Sequence, residues 1–220
     1  MLITFSGLDG SGKSTLIGRL KSRLEAANES VVVCHMTYDV GLLAAGMAVR
    51  NRLRARPRDG RHAPPVEARQ IDSRWKRLRY AVVWNKAARR IIYLVDLGIF
   101  AVYRFYIERV RGRVLIMDRY FYDTLVDVAG PRSWGWARVL SWITPTPHLP
   151  ILLDTSPEVA FARKSEFSID YLARRAVAYR RVFGWVPSAV VLDNADLPRT
   201  TSELARLVTE RRALNANSGK

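Results

Sequence analysis

Gly7-Leu8-Asp9-Gly10-Ser11-Gly12-Lys13-Ser14 fits the phosphate-loop pattern G-x-x-x-x-G-K-[ST] at every fixed position. The pattern is short, so its flanks must agree with it. Leu2-Ile3-Thr4-Phe5 ahead of it is an apolar run that reads as a buried strand. Behind it, Leu16, Leu20 and Leu24 recur every four residues, which is helical spacing. Gly7, Gly10 and Gly12 open backbone conformations closed to other residues and leave the amides bare. Those amides and the positive end of the following helix form a nest for phosphate oxygens. In this pattern Lys13 reaches the β- and γ-phosphates, and the Ser14 hydroxyl ligates Mg²⁺.

Outward from that loop, further short apolar runs alternate with helical stretches. Val31-Val32-Val33-Cys34, Arg113 to Asp118, Leu149 to Asp154 and Ala189 to Asp193 read as strands. Helices are expected at 40–54, from Phe121, over 159–164, over 168–183 and from about 201 to 214. Thr155-Ser156-Pro157-Glu158 carries a helix-start signature. Five strands separated by helices predict an α/β fold with a parallel sheet covered on both faces. In such sheets ligands gather beyond the carboxyl ends of the strands. The loop, Asp118-Arg119, Asp154 and Asp193 all fall at such ends, so one cleft is expected to collect them.

Asp118 closes an apolar strand in the manner of the carboxylate that helps hold Mg²⁺ in phosphate-loop proteins. Arg119 has the fork that clamps a phosphate. Arg163 and Lys164 follow a helix where a mobile lid would close over transferring charge.

The 220 residues suit one domain. Lys and Arg outnumber Asp and Glu by 36 to 20, a net charge of +16 that favours anionic partners. Most of the excess falls between residues 50 and 113. The stretch 56–65 reads as a surface loop. The apolar run 91–107 includes Asp96 and Arg104, which argues against a membrane span. It reads as a long buried helix with solvated basic ends, and in the alternative as a helix resting on an anionic membrane surface. Trp134, Trp136 and Trp142 read as packing residues. Cys34 is the single cysteine, so no intramolecular disulfide is possible and a reducing compartment is expected. The first strand begins at Leu2 and leaves no room for a leader ahead of it, so the expected location is cytoplasmic.

The chain resembles the thymidylate kinases. Phe5 to Thr15, with its Asp-Gly pair, looks like that family's phosphate loop. Asp118-Arg119-Tyr120 matches its Asp-Arg-Tyr/His motif, and Leu152 to Glu158 with Arg163-Lys164 matches the approach to its lid. Val191-Leu192-Asp193-Asn194-Ala195 looks like the loop near its adenine site. The resemblance implies a P-loop kinase three-layer sandwich with strand order 2-3-1-4-5. It implies ATP held by Gly7, Asp9, Gly10, Ser11, Gly12, Lys13, Ser14, Thr15 and Asn194, and Mg²⁺ held by Ser14 and, through water, Asp118. Asp9 would lie near the acceptor, Arg119 would grip the phosphate being extended, and Arg163 would close over the transferring group. One kinase domain over 1–214 is expected, with a basic helical acceptor-side insertion at about 40–112, a short lid at about 163–170 and a tail at 215–220.

Two family features are missing. Cys34-His35-Met36-Thr37-Tyr38 stands where the family has Glu-Pro-Gly-Gly-Thr. Phe121-Tyr122-Asp123-Thr124-Leu125-Val126-Asp127 stands where the family runs on to Ser and Ala-Tyr-Gln, with Gln beside the thymine. The leading expectation is transfer of the ATP γ-phosphoryl group to a nucleoside monophosphate, dTMP first. One alternative moves the same donor chemistry to a sugar, sugar phosphate or envelope precursor. Another is a basic binding protein for nucleic acid or anionic membrane, although no nucleic-acid module is visible. A small-molecule acceptor, a homodimer and peripheral membrane contact are the expected partners.

Overall fold

The computed structural model describes residues 1–36, 86–128 and 133–217. Its contacts divide the chain into two compact units, Met1–Met36 with Ala101–Lys220, and Thr37–Phe100. The helix read at 40–54 and the loop read at 56–65 lie outside the described residues.

The first unit is built on five parallel strands: β1 Leu2–Gly7, β2 Val31–His35, β3 Val114–Asp118, β4 Leu149–Asp154 and β5 Val190–Asp193. Their order across the sheet is β2-β3-β1-β4-β5, as the resemblance implies. The central strand β1 is buried at every position, whereas the edge strand β5 is partly exposed. A central parallel strand is covered on both faces, which is why it reads as an unbroken apolar run. Helix α1, Lys13–Ala26, lays Leu16, Leu20 and Leu24 on the sheet among Ile3, Ile116 and Ile151. Among the described residues, the helices after β2 run in this order: α2 Lys86–Phe105, α3 Phe121–Val128, α4 Trp134–Ile143, α5 Pro157–Arg163 and α6 Ile169–Phe183. Helix α7, Leu197–Asn217, closes the chain.

Local chemistry sets the helix starts near the site. Ser156 caps α5 by accepting from the Val159 amide at 3.3 Å, with Pro157 in the first turn. Ser168 caps α6 in the same way through Tyr171. Between the two, residues 164–168 form a short connection, inside the span of about 163–170 expected to be a lid.

Two expectations are corrected. The apolar run 91–107 does form a helix, but it is not buried all round. Tyr93, Phe100 and Ile107 are buried, while Ile91, Leu94, Ile99, Val102 and Phe105 are exposed. A run apolar at nearly every position faces all directions at 100° per residue, and among the described side chains the fully buried row is the one spaced by seven. The chain leaves α2 through a wider π turn, Tyr106–Val110. Among the tryptophans, Trp134 packs: its ring meets Trp185 edge-on at 5.9 Å and the Arg181 guanidinium lies 4.3 Å from its centroid. Trp142 is 79% exposed and Trp136 37% exposed. No helix among the described residues is long and apolar enough to cross a membrane.

Candidate active site

β1 ends in the glycine loop, and α1 begins at Lys13. Gly7, Gly10 and Gly12 have φ of 142°, 86° and 89°. The last two decide the shape. A Cβ on Gly10 would stand 2.4 Å from the Ala160 carbonyl oxygen of α5, and one on Gly12 would stand 2.2 Å from Asn194 Nδ2. Only glycine satisfies both the backbone angle and the space. The amides of Lys13, Ser14 and Thr15 open the helix, so the helix supplies no acceptor for them. Ser14 and Thr15 are exposed, while Ser11 is buried in the loop.

Lys13 is 6% exposed. Its Nζ donates to the carbonyls of Gly7 at 3.0 Å and Leu8 at 2.7 Å, and to Ser11 Oγ at 3.4 Å. Burial lowers its pKa from the usual lysine value, and the nearby Arg119 cation lowers it further; Asp123, Asp9 and Asp118 pull the other way. An anion bound beside the ammonium would raise that pKa again.

Asp118 ends β3, the neighbour of β1. Its Oδ2 accepts from Ser14 Oγ at 3.4 Å, and its Oδ1 is buried with no hydrogen-bond partner. That orphaned oxygen next to a helix-start hydroxyl fits a hard cation. No group of three or more His, Cys, Asp or Glu among the described residues could hold a metal. A Mg²⁺ ion here would draw its remaining ligands from phosphate and water, its usual preference in phosphoryl-transfer sites.

Arg119 has φ +67°, in the left-handed region that non-glycine residues rarely occupy. Its amide still bonds the Phe5 carbonyl at 2.9 Å. The guanidinium pairs with Asp9 in the phosphate loop and lies 3.9 Å from Asp123 in α3.

Asn194, 3% exposed after β5, donates from Nδ2 to the Ser11 carbonyl at 2.7 Å. Its Oδ1 is buried and unpartnered. Arg163, at the end of α5, donates to the Asn194 carbonyl at 3.3 Å. Lys164 instead pairs with Glu166 at 3.2 Å. Asp154 is held by Arg180 through bonds of 2.9 and 3.1 Å. Asp154, Asp193, Arg163 and Ala195 line a cleft of about 600 Å³. The single collecting cleft expected from the strand ends is therefore not what that cavity is, since its lining includes Arg163 but neither Lys13 nor Asp118.

Sequence reasoning missed a buried polar network beside Arg119. Asp123 accepts from Ser6 Oγ at 2.5 Å, from the Tyr120 amide at 2.9 Å and from Tyr179 Oη at 2.7 Å. Tyr179 in turn accepts from Arg175 at 3.2 Å, and Arg175 pairs with Asp127 and donates to Tyr171 at 2.9 Å. Asp123 lies four residues after Arg119, and Tyr171, Arg175 and Tyr179 are spaced by four, so both patterns were visible as helix faces. Nothing local says that the two faces meet.

A parallel sheet in this order, with a glycine loop after its central strand and a carboxylate-arginine pair after the next, defines a P-loop kinase. No family model matches the chain. It is 29% identical over 201 residues to the thymidylate kinase of Thermomicrobium roseum, covering 87% of this chain and 81% of that protein. It is 31% identical over 168 residues to the thymidylate kinase of Bifidobacterium longum, covering 74% and 70%. The chain belongs to the thymidylate kinase family as a divergent member, and it is a kinase of the nucleoside monophosphate kinase class.

Proposed function

We propose that this kinase uses ATP and Mg²⁺ and passes the γ-phosphoryl group to a nucleoside monophosphate, with dTMP the first acceptor to test. The observation that carries the reading is the meeting of Lys13, Ser14 and Asp9 on one strand end with Asp118 and Arg119 on the next.

Lys13 exchanges the Gly7 and Leu8 carbonyls for β- and γ-phosphate oxygens. Ser14 and, through water, Asp118 would hold Mg²⁺, which would supply charge neutralisation at the phosphates. Arg119 gives up Asp9 for the acceptor phosphate, setting acceptor and donor in line. Arg163, at the base of the 163–170 lid, turns from Asn194 toward the transferring group and offsets its equatorial charge. Asn194 buttresses the loop and faces the adenine side. A cytoplasmic location goes with this reading.

Incubation with ATP, Mg²⁺ and a panel of monophosphates tests it, and diphosphate formation is the expected outcome. Absence of turnover with every monophosphate ends the reading. A second reading keeps the donor half and replaces the acceptor by a sugar or sugar phosphate. It is favoured by the α3 sequence, Phe121–Val128, which has no glutamine and carries Asp123 and Asp127 instead. Sugars and sugar phosphates in the same panel separate the two.

A further inference from the structure

Arg119 sits between two carboxylates that differ in one respect. The Asp9 side chain is 23% exposed, whereas that of Asp123 is 5% exposed. A ligand arriving from solvent can displace the first and cannot reach the second. Burying a carboxylate is costly unless donors surround it. Asp123 has them: Ser6 Oγ from β1, the Tyr120 amide, and Tyr179 Oη from α6. Neutral partners of the same shape would fill that space without the cost, so the negative charge itself needs a recipient. Two cations feel it, Arg119 and Lys13.

We infer that Asp123 is a positioning residue for phosphoryl transfer, holding Arg119 ready for the acceptor phosphate while Asp9 serves as the exchangeable partner; this rests on the kinase reading above. It acts on both parts of Arg119. Through the Tyr120 amide it fixes the main chain one residue beyond the left-handed turn. Through charge at 3.9 Å it holds the guanidinium from the buried side. The Tyr179 and Arg175 contacts anchor Asp123 to α6, the helix that follows the lid connection.

The test is Asp123→Asn, which keeps the shape and removes the charge, assayed with dTMP and ATP. The expected result is a fall of about tenfold in kcat/KM for dTMP with KM for ATP within about twofold. Tyr179→Phe keeps the charge and removes one donor, and is expected to give the same split at about two- to threefold. A structural role alone would lower the melting temperature of either variant and the active fraction without splitting the two substrates, and that result overturns the inference while the kinase reading stands. If the wild-type protein does not turn over dTMP, the kinase reading fails separately. The inference is then read from a crystal structure of Asp123→Asn. Relaxation of Arg119 to negative φ, or departure of its guanidinium from Asp9, supports it; an unmoved Arg119 overturns it.

Discussion

The donor half and the acceptor half of this site are built in opposite ways. The proposed donor half is eight consecutive residues whose backbone amides would do the binding, shaped by three positive-φ glycines and buttressed from outside by Ala160 and Asn194. The proposed acceptor half is side chains drawn from three places: Asp9, the segment Arg119 to Asp127, and the face Tyr171, Arg175 and Tyr179 of α6. Main-chain amides placed by φ angles tolerate little change in sequence. A side-chain network can be rewired residue by residue, so the acceptor half is where a family can change substrate while keeping its chemistry.

That contrast can be broken most severely at Lys13, which on the proposed reading would serve donor and transition state together. Lys13→Ala is expected to cut kcat by at least about 1,000-fold, measured by coupled ADP release, with the circular-dichroism melt little changed. Activity near wild type would mean that the triphosphate lies elsewhere. Arg119→Ala should divide the halves: kcat/KM for the acceptor drops about a hundredfold while KM for ATP moves little. Equal losses for both substrates would erase the distinction. Asn194→Ala should do the reverse on a smaller scale. Losing the 2.7 Å bond to the Ser11 carbonyl loosens the loop, so KM for ATP rises about tenfold with the acceptor KM unchanged.

The smallest effect is in pH. Lys13 must be charged to hold phosphate, and burial, then Arg119, lower its pKa from 10.5. The alkaline limb of kcat/KM for ATP, which reports the free enzyme, is therefore expected below 10.5. Removing the Arg119 cation lets Lys13 keep its proton longer, so in Arg119→Ala that limb shifts upward. A downward shift would show that another group sets it.

The same contrast explains what could be read before the fold was known. Gly7 to Ser14 announces itself because backbone nests need contiguous residues, and β1 and β3 do so because buried parallel strands are apolar without interruption. Asp118 and Arg119 followed from their place at a strand end. Asp123 did not, because its partners Ser6 and Tyr179 lie 117 and 56 residues away in sequence. The 91–107 helix was legible as a helix but not in its burial, since an all-round apolar pattern does not say which row will be covered. Trp142 misled for a related reason: aromatic identity suggests burial, while on α4 the covered side chains are Ala137 and Leu140.

One contact ties mechanics to chemistry. Gly10 rides so near the Ala160 carbonyl that the glycine loop and α5 share a bearing surface. On the proposed reading, a loop that shifts as it wraps a triphosphate would press on that short rod, and Arg163 is mounted at its far end. Nucleotide arrival and a swing of the arginine would then be one motion seen at two points, with no messenger needed between them.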